Sequence, residues 1–227
     1  MDVVYLVKDW PSNEELRYSL RSIEANFPHG RVWLFGGCPD GIVPDEHVRV
    51  RQDGATKWEN TSKLLRAACE HDEVSDDFWL FNDDFFVLRP VDGLPPMYHG
   101  TLAERIRRIE ERFGGPSRYG TQLAVIERML KTRGLGTLDY SLHVPMPVNK
   151  EKALVTMDEF SSPMFRSLYG NRHAIGGVDV PDVKLYGLFD VPPDGAILAS
   201  TVDMVFSHGA GGVHIRGMFP DKCRYEV

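Results

Sequence analysis

The stretch Phe78–Pro90, FWLFNDDFFVLRP, sets a polar triplet between two of the most apolar runs in the chain. Phe78-Trp79-Leu80-Phe81 leads in, Asn82-Asp83-Asp84 interrupts, and Phe85-Phe86-Val87-Leu88 leads out. The lead-in has no polar alternation, as a strand has when its sheet is covered on both faces. Two adjacent carboxylates flanked by aromatics cost desolvation and mutual repulsion unless something offsets them. In open α/β sheets, ligands bind beyond the carboxyl ends of the strands. The triplet falls at such an end.

Working outward, Asp2–Val7 (DVVYLV) is a short β-rich run. Ser12-Asn13-Glu14-Glu15 has a capping-box pattern with Ser12 as the expected N-cap. Leu16, Leu20, Ile23 and Phe27 then recur at helical spacing, and FPHG ends that helix. RVWLFGG is a second strand and HVRV a shorter third. Asn60 is expected to cap a helix through about Glu70, just before the FWLF strand. Strand, helix, strand, then helix and strand predict an α/β fold. The expected form is a GT-A or Rossmann-like, mainly parallel sheet with helices on both faces.

The middle of the chain differs. Thr101–Leu135 predicts two helices broken at GGPS, the first opened by Thr101 and Glu104. It holds eight Lys/Arg against four acids, so it carries +4 inside a chain of net charge −7. Mixed signs suit a solvated helical face; the excess also suits an anionic acceptor. NKEKALVTMDEF predicts another helix, and KLYGLF and TVDMVF are candidate strands. One domain spanning 1–227 is expected, with a helical insertion at about 101–135.

The 227 residues are enough for a full core, and 42% hydrophobic with 26% charged residues is ordinary for a globular protein. No run of ~18 apolar residues is present, so no membrane span is expected. The MDVVYLV start lacks the basic region of a signal peptide. Cys38, Cys69 and Cys223 are far apart and form no CxxC, which suits a reducing, cytoplasmic compartment and argues against a cysteine zinc site. The negative net charge disfavours indiscriminate nucleic-acid binding.

Several residues can carry chemistry. Asp83 and Asp84 serve either as a capped turn or as oxygen ligands for Mg²⁺ or Mn²⁺, which also takes substrate phosphates. His143, in SLHVPMPVNKE, is fixed by Pro145 and Pro147 and suits acid–base work near neutral pH. Arg17 and Arg21 lie one helical turn apart, and Arg166 and Arg172 follow His143. Guanidinium forks suit a diphosphate, or equally a structural carboxylate. Lys57 and Asn60 lie where a helix N-terminus would receive an anion. Ser207–Gly217 is glycine-rich but has neither Walker nor GxGxxG spacing, leaving a flexible lid or a close backbone approach.

Three blocks together resemble the Stealth family of sugar-1-phosphate transferases. They are the DVVYLV strand, the ELRYSLRSIEANFPHGRVWLFG block with its FWLFNDDFFV end, and HVPMPVNKEKALVTMDEF leading to FRS. The resemblance covers about half of the chain. It implies Asp83 and Asp84 near a metal or acceptor, and His143 as catalytic base or acid. It also implies Arg166, and less directly Arg172, on the donor diphosphate, with Asp2 and Arg17 at the donor pocket. The family's DGSDP segment has no counterpart here, where KDWPSN stands. The closing GMFPDKCRYEV looks instead like the end of compact glycosyltransferases of actinobacteria and their phages.

The resulting expectation is an enzyme that moves a sugar from a UDP-sugar to a hydroxyl acceptor. That acceptor is a hydroxymethylated base in phage DNA or a glycan. The alternative is sugar-1-phosphate transfer with release of UMP. A sugar-binding module without chemistry is the third reading.

Overall fold

The computed structural model describes all 227 residues. In chain order its elements are β1 (Asp2–Val7), α1 (Glu14–Asn26), β2 (Val32–Gly36), β3 (Glu46–Val48), α2 (Lys57–Glu70), β4 (Asp77–Phe81) and β5 (Phe85–Val87). There follow β6 (Met97–Tyr98), α3 (Leu102–Phe113), α4 (Arg118–Lys131), β7 (Met146–Asn149), α5 (Lys150–Glu159) and α6 (Phe165–Arg172). The last are β8 (Val178–Asp179), β9 (Lys184–Leu185), β10 (Leu198–Thr201), α7 (Asp203–His208) and α8 (Ala210–Met218).

The chain forms two compact units. The first comprises Met1–Leu94, His143–Asn149 and Val183–Val227; the second comprises Pro95–Leu142 and Lys150–Asp182. In the first unit a five-stranded sheet has the order β3-β2-β1-β4-β7. β1 through β4 run parallel and β7 runs antiparallel to β4. This mixed α/β unit, with its mostly parallel sheet, is compatible with a Rossmann-like fold. Every residue of β2 is buried, as is all of β4 after Asp77, so the middle of the sheet is covered on both faces. β7 was not legible as a strand because it contains Pro147. At the sheet edge a proline costs no ladder bond.

A second, three-stranded sheet has the order β5-β10-β9. Phe86, Leu88, Ala199, Phe206, Ile215 and Phe219 form its core cluster, in which the Phe86 and Phe206 rings stack at 5.7 Å. The expected strand TVDMVF is corrected here. The strand is Leu198–Thr201, and Asp203–His208 turns into α7 because the Phe206 ring is needed on the sheet rather than in it. The glycine-rich segment is also helical, as α8. A Cβ at Gly212 would lie 1.8 Å from the Phe206 carbonyl oxygen, so the glycine permits a close backbone approach.

Two helix starts also differ from expectation. Asn13, not Ser12, caps α1, accepting from the Leu16 N–H at 2.9 Å. Thr56 caps α2 in a reciprocal box with Glu59, so that helix begins before Asn60. The Asn60 side chain instead accepts from the Gly54 N–H at 2.7 Å.

In the second unit α3 opens with the expected Thr101–Glu104 box. Leu102, Ile109, Leu123, Ile126, Leu130, Phe160 and Leu168 build its core. Part of the excess positive charge of the Thr101–Leu135 stretch is met by acids outside it. Arg105 faces Asp139 and Asp182 at 3.9 and 3.7 Å, and Arg133 pairs with Glu159 at 3.3 Å. Within the stretch, Lys131 pairs with Glu127 at 2.7 Å.

Arg17 and Arg21 of α1 converge on Glu226 near the end of the chain. Arg21 donates from Nε to Glu226 Oε1 at 2.6 Å and from its Nη2 to Oε2 at 2.8 Å; Arg17 donates to Oε2 at 2.9 Å. The Glu226 side chain is fully shielded from water. Burial raises its pKa, but these bonds and the Cys223 N–H outweigh that and hold it at about 2. We predict that Glu226→Gln costs about 3 kcal/mol or more in urea unfolding, since two guanidinium groups lose their partner. In the wild type this contribution is present above about pH 4.5 and fades as the pH falls through the folded-state value of about 2. The variant should show a weaker decline over the same range.

Candidate functional site

The parallel strands set the place of the site. From β1 the chain builds β2 and β3 on one side, then returns to add β4 on the other. The point of reversal lies between the carboxyl ends of β1 and β4, where open α/β sheets bind ligands. Two segments meet there. The turn after β1 brings Asn13 and Glu15 at the start of α1, and β4 ends in Asn82-Asp83-Asp84. Asn13 ties them together, donating from Nδ2 to Asp83 Oδ2 at 2.6 Å while its Oδ1 caps α1.

The small sheet supplies the third wall. Phe85 of β5 stands opposite Ser200 of β10, and Ser200 stands opposite Lys184 of β9. Asp84 immediately precedes Phe85, so this register delivers both polar side chains to it. Ser200 Oγ donates to Asp84 Oδ2 at 3.1 Å, and the Lys184 ammonium forms an ion pair with the same oxygen. The side chains of Lys184 and Asp84 are 9% and 14% exposed, which shields the pair from bulk screening. Asp84 Oδ1 is buried and has no hydrogen-bond partner. A buried carboxylate oxygen in that state is costly unless a cation or donor faces it.

Burial and the neighbouring Asp84 push the Asp83 carboxyl up to about 6, against the lowering effect of the Asn13 bond. Glu15 accepts from Thr201 Oγ1 at 2.7 Å. Its carboxyl is raised to about 8, chiefly by burial and then by the charges of Asp84, Asp83 and Asp203. At neutral pH the cluster therefore holds a protonated Glu15 and a carboxyl at Asp83 that titrates close by. The donor set is all oxygen, with one orphaned carboxylate oxygen, and in chemistry it fits a hard divalent cation on Asp83 and Asp84.

The other expected site residues lie in several places. β7 is antiparallel to β4, with Met146 opposite Leu80, so the segment carrying His143 emerges at the same end of the sheet as Asp83. Asp2 lies at the opposite, amino end of β1. It accepts from Arg31 N–H at 3.0 Å, Trp33 Nε1 at 2.9 Å and Ser75 N–H at 3.1 Å, tying β1 to β2 and to the lead-in of β4. Arg17 and Arg21 are engaged by Glu226, as described above. Lys57 is exposed at the first turn of α2, its ammonium 5.4 Å from the Trp58 ring centre. Arg166 and Arg172 belong to the second unit. Arg166 donates to the Leu142 carbonyl at 3.2 Å, and Arg172 to Glu159 at 2.5 Å.

Sequence reading missed Glu15, Lys184, Ser200 and Thr201. Glu15 had a signal, because it opens the helix after the first strand. Lys184 had none, since only the register of β9 and β10 brings it to Asp84 across 100 positions of chain. No protein-family model matches this sequence, and no curated protein matches it.

Glu15 gives a pH prediction. Its folded value lies above the ordinary 4.5, so between about pH 4.5 and 8 the folded protein keeps a proton that the unfolded chain has released. Stability conferred by the protonated group is present below about pH 4.5 and is lost as the pH rises through about 8. Glu15→Gln should therefore melt higher than the wild type at pH 8, by about 2–4 °C for each kcal/mol recovered. At pH 4.5 the two should nearly coincide; calorimetry at both pH values checks this.

Proposed function

We propose that this chain transfers a sugar from a nucleotide sugar, such as UDP-GlcNAc or UDP-glucose, to a hydroxyl acceptor. The observation that carries this is the carboxylate cluster of Asp83, Asp84 and Glu15 at the switch point between β1 and β4. A capped turn alone needs no such cluster at the cost that the raised pKa values of Asp83 and Glu15 record, first in burial and then in repulsion. The parallel order β3-β2-β1-β4, with an antiparallel edge strand and a small second sheet, also supports the GT-A kind of nucleotide-sugar fold.

Asp83 and Asp84 would hold Mg²⁺ or Mn²⁺, which when bound neutralises charge on the donor diphosphate. His143 accepts the proton of the acceptor hydroxyl as its oxygen bonds to the anomeric carbon. The bond from that carbon to the diphosphate breaks, and UDP leaves with the electron pair. Glu15, protonated, adds no negative charge to the cluster. Arg166, which the Stealth resemblance puts on the donor diphosphate, belongs to the second unit and is given no role in this step. The same resemblance supports a second outcome, attack at the β-phosphorus with release of UMP.

Of the two acceptors, we take a glycan hydroxyl as the working choice. The positive charges at Arg105, Lys131 and Arg133 face carboxylates, whereas a DNA-binding surface presents its cations to phosphate.

The test is to incubate the protein with UDP-GlcNAc or UDP-glucose, Mn²⁺ or EDTA, and pooled glycan acceptors, and to identify the nucleotide released. UDP with a new glycoside is expected, and EDTA should suppress it. UMP would instead identify sugar-phosphate transfer. Neither nucleotide, with no binding of either donor, would overturn the proposal. Asp84→Asn and His143→Ala should each slow the reaction by about 100-fold or more.

A further inference from the structure

Lys184 stands against one of the two carboxylates that would hold a cation. Its ammonium is shielded from water, and its ion pair goes to Asp84 Oδ2, an oxygen that also accepts from Ser200 Oγ at 3.1 Å. Asp84 Oδ1, on the same carboxylate, is buried and unpartnered. The pairing of Ser200 with Lys184 across β10 and β9 aims the lysine at Asp84, and the pairing of Ser200 with Phe85 holds the carboxylate to receive it. One carboxylate thus has an internal cation on one oxygen and no partner on the other, buried one.

We propose that Lys184 is the resident counter-ion of Asp84 and competes with a divalent cation for that carboxylate. This rests on the cation-site reading, but not on glycosyl transfer. A fixed positive charge in a poorly screened site repels an incoming cation and also neutralises the carboxylate that would attract it. Lys184 therefore offsets the charge of Asp84 in the folded cluster, and it weakens the affinity for metal alone. An anionic donor relieves the opposition, because its diphosphate offers the displaced ammonium a new partner. The device ties metal retention to the presence of the donor.

The experiment uses Mn²⁺ alone as probe, with free Mn²⁺ followed by electron paramagnetic resonance and no nucleotide present. Lys184→Met should bind Mn²⁺ at least about tenfold more tightly than the wild type. Lys184→Gln, which keeps an N–H donor for Asp84 and drops the charge, should move the same way and serves if the methionine variant does not fold. Asp84→Asn added to either should abolish the gain. Unchanged or weaker Mn²⁺ binding in the lysine variants would overturn the proposal and leave Lys184 as a structural ion pair. So would an absence of Mn²⁺ binding in all of them. Glycosyl transfer can fail in the assay above while this gain persists, and the reverse is equally visible.

Discussion

Asp83 and Asp84 stand side by side where a buried strand leaves its sheet, and two like charges in such a place need a positive charge close by. Lys184 supplies it. The need explains why the chain returns so late to this end of the sheet. β9 and β10 arrive after the second unit has been completed, and their register with β5 sets Lys184 and Ser200 against Asp84. Without that small sheet, the polar triplet that interrupts FWLF and FFVL would carry an uncompensated charge. Asn13 provides the other restraint by fixing Asp83 from the side of β1.

Helix α1 links this end of the molecule to its core. Its first turn caps itself through Asn13 and presents Glu15, while Arg17 and Arg21, one turn apart, grip Glu226. Arg21 also donates to the carbonyls of Phe219 and Pro220, so the closing segment is strapped along the helix. The arginines that look suited to a diphosphate thus hold the helix whose amino end forms the site. Asp2 does similar work at the far end of β1, where three donors converge on its carboxylate. The candidates left for the proposed chemistry are the carboxylates and the lysine around Asp84, together with His143, whose segment emerges at the same end of the sheet.

Much of this was legible locally. Short β-rich runs marked β1 and β2, an apolar run without alternation marked β4, and helical spacing marked α1. The Thr101 box marked α3, because each signal lies within a few residues. Competing local solutions were harder to rank. Ser12 and Asn13 both make good caps, and only the pairing of Asn13 with Asp83 favours the second. Thr56 outcompetes Asn60 because Glu59 completes its box. TVDMVF has strand composition, yet the sheet ends at Thr201 and the helix after it carries Phe206 onto the sheet's core. Lys184 was invisible for a different reason. Its partner is chosen by strand register across most of the chain, and register leaves no mark in a two-residue strand.

The central claim is that the switch point between β1 and β4 receives a nucleotide sugar. Hydrogen–deuterium exchange of the wild-type protein, with and without UDP-GlcNAc or UDP-glucose and Mn²⁺, tests it most directly. The account predicts slower exchange in the turn from Lys8 to Leu16, in Asn82–Phe85 and around Lys184. Binding with protection confined to other segments, such as the amino end of β1 near Asp2, would contradict it.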